Sequence, residues 1–481
     1  MAKRKVSSFQ RLQSGKLNPR DYKELQRRLQ AEDPGLMVVH GNAVGIDVGA
    51  QSHFAAVPPG RSEQPIREFG SWTAALHEMA AWLISCKIDT VAVQATGVYW
   101  LGLCDVLEKA GLKIWVVNAH GTKNLPGRKT DVQECEWLRK LHTYGLLRDS
   151  YRPPESIREI RDLWRLRERW VQEIGRALQQ MQKSLTAMNL QLTNTVSDIG
   201  GVTGLAIIRA IVGGERDSRK LAKLRDPRVR ASEDEIAHSL EGTWREAQLF
   251  ELGQVVEHYD FLAKKIVELD KLLQQKMKTM PTREPVVVEQ GTQAEAEQAV
   301  WKRKRKKPSK NAPKFGLEKE LERVLGVDLT LIDGVHVLIA QTVYAEVGPD
   351  LSAFPSEAHF AAWLGLAPMR SVSGGKLIRH ERKKMTNRLS LALRMGAETL
   401  ENSKTYLGAR FRNIKGRRGP AKAVKAMARY LACLIYRMMT KGQTWIDRGE
   451  AAYEAQRSVR ELQFLTRKAR ALGMNLVPAK V

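Results

Sequence analysis

The sequence predicts an α/β domain followed by a mostly helical remainder. Three observations point there. Between Val38 and Ser150, short β-branched runs alternate with amphipathic stretches. From Pro154 the apolar period becomes 3.5 residues and persists for several heptads. From Leu317 onward the pattern is helical again, and its last strong helix is bounded by Pro420 and Gly442.

Residues 1–38 are basic and polar, and read as an arm with a short helical stretch at Asp21–Leu29. In residues 39–150, strands are expected at Val44–Val48, Ser52–Val57, Thr90–Val93 and Lys113–Val117. The first two are close enough for a hairpin. Helices are expected at Thr73–Ser85, at Val98–Ala110 and from Asp131.

Residues 151–283 carry two heptad series. Trp164, Val171, Leu178, Leu185 and Leu192 fall seven apart, with Ile160, Ile174, Met181 and Met188 at the companion positions and Arg167 as the break. The second series runs Leu252, Val255, Tyr259, Leu262, Ile266, Leu269, Leu273 and Met280, broken by Lys276. A coiled coil between chains and a hairpin packing on itself both satisfy this pattern. Near 198–244, Gly200-Gly201, Gly213-Gly214 and Asp226-Pro227 mark an insert of loops and short helices. Residues 284–316 read as a basic linker containing prolines, 317–447 as a helical domain and 448–481 as a helical tail.

The chain has 481 residues and a net charge of +26, which argues for a polyanionic partner, nucleic acid before a membrane surface. No apolar run approaches the roughly 18 residues of a spanning helix. The N-terminus lacks the apolar core of a signal peptide. Cys86, Cys104, Cys135 and Cys433 lack paired zinc spacing and read as free thiols of a reducing compartment.

Two constellations could do chemistry. Asp47 ends the first strand in Gly45-Ile46-Asp47-Val48-Gly49, and Asp131 and Glu134 share one face at the start of a helix. Converging carboxylates hold Mg²⁺ or Mn²⁺ through hard oxygen donors. The same residues also read as a strand-end cap and as acids facing a helix dipole, and Gly-x-Asp-x-Gly opens actin-like ATPases too. The second constellation is Ser373-Gly374-Gly375-Lys376, an exposed serine on a flexible turn. Lys376, Arg379, Arg382, Lys383, Lys384 and Arg388 surround it. It reads as a phosphate-binding loop or a nucleophile, with His380 as a candidate base.

Further cations form backbone-contact candidates: Lys302, Arg303, Lys304 and Arg305 in the linker, then Arg410, Arg412, Lys415, Arg417, Arg418, Lys422 and Lys425. Leu331–His336 with Ala340–Val347 resembles a helical hairpin that grips a DNA backbone, or is an ordinary turn.

These segments together resemble the transposases of the IS one-ten family, in its IS eleven-eleven branch, the DEDD recombinases of bacterial insertion sequences. The resemblance is carried by Gly45–Gly49, Ala95–Trp100, Gly127–Leu138, Gly201–Gly204, Leu224–Arg228 and Trp363–Pro368 running into Ser373–Lys376. It implies an N-terminal RuvC-like domain of RNase H fold that binds Mg²⁺ through four acids, a long coiled-coil arm and a C-terminal domain with a serine nucleophile. By position, Asp47, Asp131 and Glu134 match the first, third and fourth acids, and Ser373 matches the nucleophile. Gln94 stands where the second acid is expected, a neutral carbonyl donor in place of a carboxylate.

The resemblance therefore implies a bacterial cytoplasmic enzyme that cuts and rejoins DNA through a phosphoserine, guided by a noncoding RNA and assembled as a dimer or tetramer through its arm. Three other readings are a metal-only resolvase-type nuclease, a catalytically weakened nucleic-acid-binding protein and an actin-like ATPase. The last lacks a second glycine-rich phosphate loop.

Overall fold

The structure, a computed structural model, describes residues 27, 35–118, 130–284, 309–367, 387–442 and 449–477, and the backbone of 369–373 and 376–381. The expected helical stretch at Asp21–Leu29, the run Lys302–Arg305, and Arg382 and Lys383 lie outside the described residues, Arg27 excepted. The chain divides into two compact units, Met1–Arg152 and Pro153–Val481.

The first unit is built on a five-stranded sheet of order β3-β2-β1-β4-β5. Its strands are β1 (Ala43–Val48), β2 (Ser52–Ala56), β3 (Ile66–Gly70), β4 (Thr90–Gln94) and β5 (Lys113–Val117). β1, β2 and β3 form an antiparallel meander, whereas β4 and β5 run parallel to β1. All five residues of β4 are buried, as a central strand covered on both faces requires.

One face of the sheet packs on α1 (Thr73–Ser85) and α2 (Trp100–Lys109). Val44, Ile46, Val91, Val93 and Val116 meet Met79, Leu83, Leu103 and Leu107 there in one core. The other face receives α3 (Asp131–Thr143), where Ala92 and Val117 pack with Leu138. Each fully buried Leu or Val contributes about 1.5–3 kcal/mol.

The strand β3 was not expected from the sequence. Its two charged residues, Arg67 and Glu68, interrupt the apolar alternation, and it lies at the sheet edge, where charge is tolerated.

The second unit begins with the two heptad series. They form α4 (Glu155–Ala187) and, after the insert helices α5 (Val202–Val212), α6 (Ser218–Ala222) and α7 (Glu233–Ser239), the equally long α8 (Glu246–Lys278). At 1.5 Å per residue, each 33-residue helix is about 50 Å long. α4 and α8 pack against each other within the chain. Along the pair, Ile160, Trp164, Met181 and Leu185 of α4 and Leu252, Leu262, Leu269 and Leu273 of α8 are all buried.

Both heptad breaks carry ion pairs across this hairpin. Arg167 is buried, bonds the Asp270 carboxylate and donates to the Asn311 carbonyl at 2.8 Å. Lys276 Nζ donates to Glu159 at 2.6 Å. The insert shares a core with the hairpin end, in which Met181, Leu185, Leu252 and Val256 pack with Ile207, Ile208, Leu221 and Ile236.

The remainder holds α9 (Leu317–Leu325), α10 (Val337–Val347), α11 (Glu357–Trp363), a hairpin of β6 (Met369–Ser373) and β7 (Lys376–Glu381), α12 (Arg388–Thr399), α13 (Tyr406–Arg418), α14 (Pro420–Lys441) and α15 (Gly449–Ala471). α14 starts and stops where its proline and glycine predict, with Gly442 left-handed at φ 63°. In the β6–β7 pair Ser373 is the last residue of its strand and pairs with Lys376.

Candidate active site

The acids expected to hold metal are brought to one end of the first unit. Gly45 explains how. A Cβ there would overlap the Arg139 backbone nitrogen and the Cys135 carbonyl oxygen, so only glycine lets α3 lie directly on β1. The helix runs antiparallel to β1 and β4. His142, near its end, hydrogen-bonds Thr90 at the start of β4 (2.9 Å), and Leu138 packs on Ala92 midway. Its first turn, with Asp131 and Glu134, therefore lies at the carboxyl ends of these strands.

Asp47 and Gln94 occupy those ends. Ile46 pairs with Val93, so the residues that follow each, Asp47 and Gln94, stand side by side on neighbouring parallel strands. Asp47 shares the face of Gly45, the face that α3 covers. Asp47 is half-buried and Gln94 buried. The Cys135 thiol is pushed up to about 12, by burial first and then by the charge of Asp47. Thr130 caps the helix, accepting from the Gln133 amide, while Asp131 is exposed and Glu134 half-buried. In open α/β sheets, ligands bind beyond the carboxyl ends of the strands.

The donor set suits a hard divalent cation: three carboxylates and one amide oxygen, with no thiol or imidazole among them. Among the described residues, no three His, Cys, Asp or Glu side chains close on a common point. The carboxylates thus share an end of the unit without forming a finished cage.

Ser373 belongs to the second unit, at the end of β6. The hairpin register pairs His380 with Arg370, three positions from Ser373 and about 10 Å along the strand. Lys376 and Arg379 lie on β7, opposite Ser373 and Ser371.

The cations of α13 and α14 divide into two groups. Arg412 is engaged with the Glu401 and Ser403 carbonyls and with Glu450, Lys415 pairs with Glu401, and the Arg410 guanidinium lies 3.9 Å from the Tyr430 ring centre. Arg417, Arg418, Lys422 and Lys425, around the turn at Gly419, are exposed. The turn at Asp333-Gly334 faces inward: Gly334 has φ +83° and lies against the Gly396 carbonyl of α12. That packing favours the ordinary-turn reading over a backbone grip.

Two comparisons bear on identity. Residues 44–190 match a family profile for DEDD transposases of the IS110 type, described as Transposase. Residues 328–411 match the profile described as Transposase IS116/IS110/IS902 family. The matches support an IS110-family transposase. The chain is accordingly an enzyme acting on DNA, a transposase or recombinase. No curated protein matches it. The first match takes in Asp47, Gln94, Asp131 and Glu134. A DEDD-type domain implies dependence on a divalent metal. No described helix is long and apolar enough to cross a membrane.

Sequence reading gave no role to Trp72 or His142, and met Tyr99 only within the segment Ala95–Trp100. Trp72 and Tyr99 are exposed aromatic rings beside strand ends, and only the fold reveals which end. His142 is buried, its pKa held down at about 3 by burial and then by the charges of His40 and Lys113.

Proposed function

We propose that this transposase cuts and rejoins DNA by a metal-assisted serine mechanism, on a RuvC-like domain of RNase H fold. The placing of Asp47, Gln94, Asp131 and Glu134 at one end of the sheet, the carboxyl ends of β1 and β4, supports the reading. Bound there, Mg²⁺ or Mn²⁺ would stabilise negative charge developing on the phosphate oxygens.

The roles of the chain's own groups follow. Asp47, Asp131 and Glu134 supply charge, and Gln94 supplies a neutral oxygen. Ser373 Oγ gives up its proton and bonds to phosphorus, and the bond to the 3′ oxygen breaks, releasing a 3′-hydroxyl. Attack of another strand's 3′-hydroxyl on the phosphoserine reverses the step and restores the serine. No nucleotide hydrolysis is required, because each new phosphoester bond replaces another.

Arg417, Arg418, Lys422 and Lys425, with the linker and hairpin cations, hold nucleic-acid backbones without reading sequence. Target choice is delegated to a noncoding RNA of the element, in keeping with the IS eleven-eleven branch. The α4–α8 hairpin acts as a coiled-coil arm joining protomers of a dimer or tetramer in the bacterial cytoplasm, so that acids and serine come from different copies.

The test incubates purified protein with element-junction DNA, target DNA, RNA from the element's flanks and Mg²⁺ or Mn²⁺. An SDS-resistant protein–DNA adduct, lost in both Ser373→Ala and Asp47→Ala, is expected. Cleavage without an adduct, unaffected by Ser373→Ala, would overturn the serine mechanism in favour of a resolvase-type nuclease.

A further inference from the structure

Two exposed aromatic rings flank the candidate metal end of the sheet. Trp72 is 80% exposed and Tyr99 50%. No other Phe, Tyr or Trp among the described residues of the first unit is exposed.

Their places follow from strand direction. β1 and β3 are both antiparallel to β2, so they run the same way and finish at the same end. Gly70, the last residue of β3, pairs with Ser52 beside the β1–β2 turn, and the Ser71 amide donates to the Gln51 carbonyl at 3.0 Å. Trp72 comes next. Tyr99 ends the loop that leaves β4 after Gln94. In the order β3-β2-β1-β4, Trp72 therefore lies two strands to one side of Asp47, and Tyr99 lies on the neighbouring strand to the other.

Each ring rests on a glycine. A Cβ at Gly70 would stand 3.2 Å from Trp72 Cδ1, and a Cβ at Gly97 would stand 3.5 Å from the Tyr99 ring. Gly97 is left-handed at φ +54°, and the Trp100 indole N–H donates to its carbonyl at 3.2 Å. The rings are thus held in place while most of Trp72 and half of Tyr99 face water. Rigid aromatic side chains give contact area at little entropic cost.

The occupant must tolerate nearby carboxylates and offer a flat apolar face. A nucleobase does both: it is uncharged, and base–aromatic stacking is indifferent to sequence. Rejoining a strand to a new partner also requires that bases beside the cut leave their original pairs. We propose that Trp72 and Tyr99 are stacking platforms for unpaired bases of the DNA strand whose phosphate lies at Asp47. The inference rests on the proposed metal-end chemistry and deepens it by naming what holds the strand there.

The test uses the full chain, without divalent metal, and single-stranded DNA oligonucleotides carrying 2-aminopurine, whose fluorescence falls when it stacks. Wild type, Tyr99→Phe and Trp72→Phe should quench the probe. Tyr99→Leu and Trp72→Leu should each lose quenching and bind roughly tenfold more weakly. Thermal melting should be unchanged, since both side chains are exposed. Leucine variants that quench like wild type, or phenylalanine variants that fail like leucine, would overturn the stacking role. Because no cutting is involved, failure of the serine mechanism leaves this readout intact, whereas a wild-type protein that forms the adduct but never quenches the probe overturns stacking alone.

Discussion

Gly45 of β1 and Arg139 of α3 meet backbone to backbone: a Cβ on Gly45 would stand 2.9 Å from the Arg139 Cα and closer still to its nitrogen. Gly45→Ala must push α3 off the sheet. A loss of about 1–3 kcal/mol in urea unfolding is expected. The Mg²⁺ concentration needed for cutting should rise with it, because α3 carries Asp131 and Glu134. Gly102→Ala on α2, where a Cβ meets nothing within 4 Å, should leave both unchanged or slightly stabilise the fold.

Gln94→Glu restores a fourth negative charge beside Asp47. It should lower the Mg²⁺ concentration for half-maximal adduct formation, measured by titration. An unchanged or raised requirement would remove Gln94 from the ligand set.

Arg167 and Asp270 form a nearly buried pair, with side chains 5% and 13% exposed. Arg167→Met alone strands the carboxylate and should cost about 3–5 kcal/mol. The double variant Arg167→Met with Asp270→Leu should recover most of that loss. Urea midpoints of the single and double variants measure the coupling.

His142 makes stability depend on pH. Its folded pKa is about 3 against an ordinary 6.5. Between these values the unfolded chain binds the extra proton, so this contribution is complete above pH 6.5 and declines as pH falls toward 3. The slope is at most about 1.4 kcal/mol per pH unit. Burial lowers the pKa of His53 too, with the same sign. His142→Gln should flatten the urea midpoint between pH 6.5 and 5 relative to wild type.

Arg417, Arg418, Lys422 and Lys425 should set the salt dependence of DNA binding. Changing any one that contacts phosphate to Gln should reduce the slope of log K against log salt by about one, whatever the DNA sequence. Lys415→Gln, at a residue already paired with Glu401, should change the slope less.

Much of this was legible in the chain. β1, β4 and β5 announce themselves through their β-branched residues, and α14 because its proline and glycine mark both ends. β3 was hidden by Arg67 and Glu68, and β6–β7 by Arg370, Lys376 and Arg379, although Gly-Gly between two extended runs is a hairpin signal. The heptad breaks were visible, but their partners were not: Asp270 lies 103 residues from Arg167, and nothing local names it. The candidate acids were singled out by type and spacing. Their common end required knowing that α3 runs antiparallel to β1.

The α4–α8 hairpin has an end that would otherwise be open to water. Met181, Leu185, Leu252 and Val256 would be wetted there if the chain simply turned back. The insert plugs that end, much as a terminal repeat seals a solenoid. Arm and plug therefore form one cooperative structure. Trimming the insert would fray the arm from its tip, and an arm of another length would need its new end sealed in the same way.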